Sequence, residues 1–205
     1  MKKFILGQKD RMTQIFDEDG FAVPATVINI SKNIITQIKN IEKNGYNSVQ
    51  VATEEQKESR LGKAIKGHLK GAYKFVKEFR VDNSSEYKIG DEISLDIFKA
   101  GDMVEISSIS KGKGFQGGVK LHGFSGGRRS HGNKHAEREV GSIGAGTTPS
   151  RVWKGKKMPG RMGSDRITIK GLKIAKIDLE NSRIFVKGAI AGKPGTLVEI
   201  SKTSA

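Results

Sequence analysis

Between Lys111 and Arg166 the chain has almost nothing from which to build a core. These 56 residues carry 13 Lys or Arg against Glu137, Glu139 and Asp165, a net +10 out of the +15 borne by all 205 residues. They hold 14 of the 26 glycines, three of the four histidines and the only tryptophan, Trp153. Leu, Ile, Val and Phe together number seven. So little apolar surface cannot offset the entropy of ordering the chain. Such a segment stays unfolded alone or takes its order from a partner. A +10 segment calls for a polyanion, and nucleic acid is the commonest. A solvated linker is the plain alternative. Against it, Phe115, Phe124 and Trp153 are spaced among the cations, and aromatic and guanidinium planes stack on exposed bases while Lys and Arg meet phosphates.

About 150 residues remain outside this stretch, with a net charge of +5, and they suffice for a hydrophobic core. There is no run of about 18 apolar residues, so no membrane-spanning helix is expected. The start, Met1 to Arg11, lacks a long apolar core and a small-residue cleavage site and does not read as a signal peptide. The chain has no cysteine. That removes disulfides, thiolate zinc sites and cysteine nucleophiles, and it fits a reducing cytosol.

This remainder reads as strands. Lys3–Leu6 is a short one. Met12–Phe16 and Phe21–Ile28 form a hairpin across Asp17-Glu18-Asp19-Gly20, with an edge or bulge at Pro24. Ile34–Lys39 and Ser48–Ala52 follow across Asn44-Gly45. The charged run Glu54–Lys63 suits a short helix or a loop. Lys63–Phe79 is partly helical in spacing but weakened by Gly67 and Gly71. Strand character resumes at Phe79–Val81 and alternates through Ile89–Phe98 and Met103–Ile109. Beyond Asp165, strands are expected at Arg166–Lys170, Leu172–Leu179, Arg183–Gly188 and Leu197–Ile200. Short strands spaced by about eight to twelve residues predict an all-β barrel or sandwich. The predicted organisation is a mainly β body over 1–30 and 80–205 and a small α+β insertion over 31–79. A long, extended, glycine-rich basic arm, 110–166, leaves and re-enters the body between two strands.

Within the arm, Gly112-Lys113-Gly114-Phe115-Gln116-Gly117 matches G-x-G-x-x-G. A dinucleotide site needs that loop to open a helix inside a βαβ unit. The glycine-rich sequence after Gly117 predicts no good helix, so this reading is weak. His122, His131 and His135 could suggest a metal. With no cysteine and few nearby carboxylates, they fit hydrogen bonding or stacking on nucleic acid better, or satisfied histidines in a packed loop. No Gly-x-Ser-x-Gly elbow or carboxylate pair marks the segment as catalytic, so no enzyme, cofactor or metal site is assigned. The arm offers no helix for a DNA groove, and an extended glycine-rich ribbon suits folded RNA. The expected RNA contacts are Lys111, Lys113, Phe115, Lys120, His122 and Phe124; then Arg128, Arg129, His131, Lys134, His135 and Arg138; and on the return Arg151, Trp153, Lys154, Lys156, Lys157, Arg161 and Arg166. A free nucleic-acid chaperone or condensing protein is the alternative within the same class.

The motifs that run through the chain resemble a known family. Ser110–Gly117, Lys120–Gly127, Ser130-His131-Gly132, Gly141–Gly144 and Thr148-Pro149 through Lys154–Gly160 look like the arm of the large-subunit ribosomal protein L-three family, bacterial type. Leu6–Lys9 with Met12–Phe16, and Val186–Gly192, agree with its two ends. The resemblance implies a Greek-key β-barrel similar to that of translation elongation factors, with a cytoplasmic location in the large subunit. It implies direct binding of 23S-type rRNA early in assembly, near the rRNA 3′ end. It also implies an arm reaching toward the peptidyl transferase centre, its tip at Gly144, Ala145, Gly146, Thr147, Thr148, Pro149 and Ser150. The neighbours it implies are ribosomal proteins L-fourteen and L-nineteen, with no membrane and no homo-oligomer. Two positions depart from the family pattern. Arg11 stands where Gly is usual, which bears on the N-terminal turn. Thr147 stands where some members carry a methylated glutamine, so that modification is not expected.

Overall fold

The computed structural model describes residues 3–17, 19–69 and 71–202, so Met1, Lys2 and the turn residue Glu18 read above lie outside it. The chain divides into two compact units, Met1–Ile109 with Arg166–Ala205, and Ser110–Asp165. In chain order the strands are β1 (Phe4–Phe16), β2 (Ala22–Asn29), β3 (Asn33–Lys39), β4 (Ser48–Glu55), β5 (Tyr73–Arg80), β6 (Met103–Ile109), β7 (Gly114–Gln116), β8 (Gly160–Met162), β9 (Arg166–Asp178), β10 (Arg183–Lys187) and β11 (Leu197–Lys202). The helices are short: α1 (Ile41–Asn44), α2 (Lys63–His68) and α3 (Gly118–His122). The protein is mainly β.

In the first unit six strands pair antiparallel around a closed circuit, β1-β11-β6-β9-β10-β2 and back to β1. Their inward residues, among them Ile5, Ile28, Val104, Ile106, Ile174, Ile184, Val186, Val198 and Ile200, form one apolar core. A separate sheet, β3-β4-β5, presents Ile35, Val49, Val51 and Phe79 to a second core. β1 serves both. Side chains alternate across a strand, so Ile5 enters the first core while Phe4 and Leu6 enter the second. The Phe4 ring stacks on Phe79 with centroids 4.5 Å apart.

Leu6 also shows how a strand end is satisfied. Pairing of β1 with β2 begins only at Gln8↔Asn29. The fully buried Asn33 side chain takes over there. Its amide donates to the Leu6 carbonyl at 3.0 Å, and its oxygen accepts from the Leu6 N–H at 3.0 Å. It also donates to the Ser31 carbonyl at 2.7 Å. Elsewhere Lys9 Nζ donates to the carbonyls of Ile190 and Gly192 at 2.6 and 2.9 Å, joining the two terminal motifs. Asp102 accepts from Lys202 Nζ at 2.7 Å. That hydrogen bond, outweighing desolvation and aided by Lys3, holds its carboxyl below the usual range. A depressed carboxyl stabilises the fold above its ordinary pKa, and this contribution is lost as pH falls through the lower value.

Several expected elements differ. Lys3–Leu6 and Met12–Phe16 are not separate strands but parts of β1, which continues through a bulge. Asp10 and Arg11 there oppose the single residue Val27. Arg11 lies in this bulge without a left-handed φ, so a side chain is accommodated. Arg166–Lys170 and Leu172–Leu179 are likewise one strand, β9, bulged at Lys170-Gly171 where Gly171 has φ +71. Ile89–Phe98 is not a strand. It keeps one bridge, Ile34↔Glu92, and a 3-10 turn at Leu95–Ile97. Its apolar alternation reflects Ile93, Leu95 and Ile97 turning toward the core from a segment that meets β3 only along Gly90–Ile93. The β5 strand starts at Tyr73, before the expected Phe79.

Asn33→Ala leaves the Leu6 N–H and C=O buried without their partner, so it is expected to destabilise the protein by about 2–4 kcal/mol. Urea unfolding measures this. Asn33→Asp should also destabilise, because a carboxylate cannot donate to the Leu6 carbonyl. Either variant proving as stable as wild type would remove Asn33 from this role.

Candidate nucleic-acid interface

The second unit starts and ends on a pinch. The Ser110 N–H donates to the Asp165 carbonyl at 2.9 Å, and the Asp165 N–H returns a bond to Ser110 Oγ at 3.2 Å. Just beyond, the Lys113 N–H meets the Met162 carbonyl at 2.9 Å. β7 and β8 then pair antiparallel with Phe115 opposite Arg161. Gly163 has φ +76, and a Cβ there would collide with the Lys111 carbonyl oxygen. The two backbones can lie this close only because that residue is glycine.

The chain next makes α3, a single turn of five residues where no good helix was expected. Its end is fixed by Gly123 (φ +75), whose N–H reaches the carbonyls of Gly118 and Val119. The strand leading into α3 is three residues long and pairs antiparallel. Among the described residues no parallel βαβ unit surrounds Gly112–Gly117, the setting a dinucleotide loop needs. Past Gly123 the chain doubles back on itself. The Gly127 N–H donates to the Glu137 carbonyl at 3.1 Å. Side chains at Gly126 or Gly127 would run into the backbone of Ala136-Glu137. The Phe124 ring lies beside Gly118 and against the His122 ring, with centroids 5.6 Å apart.

The histidines are dispersed. A His122 ring nitrogen pairs with the Met158 carbonyl at 2.9 Å. His131 and His135 both have left-handed backbones, φ +59 and +65. Among the described residues no three His, Asp or Glu converge as metal ligands would. At the expected tip, Gly144 through Thr148 and Ser150 are exposed, with Pro149 half-buried behind a cis Thr148–Pro149 bond. Ser142 Oγ donates to the Gly144 carbonyl at 2.7 Å. The Arg151 guanidinium sits 4.8 Å from the Trp153 ring centre.

All the expected cations are exposed: Lys111, Lys113, Lys120, Arg128, Arg129, Lys134, Arg138, Arg151, Lys154, Lys156, Lys157 and Arg161. Among the described residues none of these twelve meets a carboxylate. Arg166 stands apart. It is the first residue of β9, and its guanidinium pairs with Glu199. Phe115 is 75% exposed and Trp153 60% exposed, so both rings are available for stacking, whereas Phe124 is half-buried. Sequence reasoning missed the Ser110–Asp165 pinch and the collision points at Gly126, Gly127 and Gly163. Glycine richness flagged the region, but which glycines touch backbone depends on how chain segments distant in sequence pair.

Comparison with known proteins gives a consistent answer. The family model described as Ribosomal protein L3 matches residues 34–193. The chain is 45% identical over 202 residues to the large ribosomal subunit protein uL3 of Finegoldia magna, covering 97% of this chain and 96% of the relative. It is 46% identical over 201 residues to the uL3 of Alkaliphilus metalliredigens, covering 96% and 95%. Its identity to uL3c of Porphyra purpurea is 46% over 202 residues, covering 97% and 98%.

A Gly163→Ala substitution forces a Cβ into a left-handed position against the Lys111 carbonyl. It is expected to speed hydrogen exchange of the Lys113 amide by about ten-fold or more, while amides of β1 and β6 keep their protection. An unchanged Lys113 amide would show that this glycine does not hold the pinch together.

Proposed function

Because this chain belongs to the ribosomal protein L3 family, of bacterial type, we propose that it is a structural constituent of the large ribosomal subunit that binds 23S-type rRNA directly. The carrying observation is the surface of the second unit: twelve exposed cations without carboxylate partners, interleaved with exposed Phe115 and Trp153. Cations that find no anion within the fold keep their charge for one outside it. In rRNA that anion is the phosphate backbone, and the rings between the cations meet unstacked bases.

In this reading the body, 1–30 with 80–205, is a Greek-key barrel of the translation-factor kind. It docks on rRNA by shape and charge, and the sheet-bearing insertion 31–79 adds to it. The arm, 110–166, neutralises phosphates that converge near the peptidyl transferase centre, so that RNA segments pack where they would otherwise repel. Its tip, Gly144–Ser150, biases the shape of the RNA active site from behind, and the chain performs no chemistry of its own. Binding comes early in assembly. Ribosomal proteins L-fourteen and L-nineteen are the proposed neighbours, within cytoplasmic large subunits.

With about eight phosphates engaged, log affinity for an rRNA fragment should fall against log salt with a slope of about −6 to −7. A flat dependence would overturn the phosphate role. Replacing residues 111–164 by a short turn should leave the body folded, as judged by cooperative unfolding, but give subunits that assemble poorly or transfer peptide slowly. Normal assembly and activity would remove the arm from this account.

A further inference from the structure

Around Phe124 the chain leaves an open, solvent-facing pocket of about 530 Å³, lined by Gly123–Gly127, Ala136, Glu139, Val140 and Gly141. Its chemistry is unlike the rest of the arm. Phe124 is among its lining residues, and its ring lies beside Gly118 and the His122 ring. The opposing chain segments are backbone, tied by the Gly127-to-Glu137 hydrogen bond. The charged group among the lining residues is a carboxylate, Glu139, in a segment of net +10. Among the described residues Glu139 has neither an ion pair nor a side-chain hydrogen bond, although twelve cations share its unit.

A carboxylate against rRNA repels phosphate, so it belongs there only if it meets a donor. It has two acceptor oxygens and no proton to give. Among the bases, guanine alone presents two adjacent donors on its pairing edge, N1–H and the N2 amino group; adenine and cytosine place an acceptor beside their amino group. An unstacked base is held by an aromatic face and by hydrogen bonds to its edge, and this cavity offers both. We propose that the Phe124–Glu139 cavity is a pocket for one unpaired guanine of the RNA, with the ring stacked on Phe124 and N1–H and N2–H donating to Glu139.

The proposal rests on the RNA-binding reading above, and the two fail separately. The full chain is titrated with the single-stranded probes UUUGUUU, UUUAUUU, UUUIUUU (inosine, which lacks the N2 amino group) and U7, and with an rRNA fragment. Wild type should favour UUUGUUU over the other probes by about five-fold or more. Glu139→Ala and Phe124→Leu should erase that preference, with cooperative unfolding confirming that each variant is folded. For U7, which offers Glu139 no pair of adjacent donors, Glu139→Ala should bind as well as wild type or better. Equal affinity of wild type for all four probes, or a guanine preference that survives Glu139→Ala, overturns the pocket while leaving rRNA binding intact. No binding to the rRNA fragment overturns the broader reading instead.

Discussion

The structure depends on a strand buried on both faces. At Phe4-Ile5-Leu6, β1 sends alternate side chains into two cores, so the core of the six-stranded circuit and the core under the β3-β4-β5 sheet both draw on it. Full burial of each such side chain is worth about 1.5–3 kcal/mol. The cost is a backbone with no access to water. Its hydrogen bonds must all be met, and Asn33 meets the pair that β2 is too short to reach. A polar side chain in a core is retained here because it completes a ladder.

The two units resolve opposite electrostatic problems. The first pairs its charges internally where strands converge: Glu199 takes both Arg166 and Lys77, and Asp102 takes Lys202 and Lys3. Exposed pairs of this sort add little stability each, but they neutralise the charges they join. The second unit leaves its cations unpaired. Internal pairing there would have to be broken before phosphate could bind, so an arm laced with salt bridges would be a poorer ligand for RNA. The close contacts it makes within itself are between backbones at glycines, which cost no charge.

What could be read from the sequence followed from periodicity and composition. The hairpin before Asn29, the strands β6 and β10 and the charged segment between Ile109 and Arg166 all show in the order of residues. The bulges at Asp10-Arg11 and Lys170-Gly171 did not, because two residues facing one is a property of the partner strand. Ile89–Phe98 misled because alternation reports burial of every second residue, and a coil lying on a core meets that condition as well as a strand does. α3 was missed because glycine propensity argued against it, yet Gly117, Gly118 and Gly123 bracket one turn that tertiary packing supports. The cations of the site were legible one by one. Their common lack of carboxylate partners needed coordinates.

The pinch at Ser110 and Asp165 carries a further implication. The departing and returning chains meet beside Ile109↔Arg166, a matched pair in the β6–β9 ladder, so everything between them is a closed loop hung on an intact framework. Closing a longer loop costs only about 0.6 kcal/mol for each doubling of its length. Evolution could therefore retune the reach of this appendage through insertions and deletions, while the scaffold that carries it went on folding unchanged.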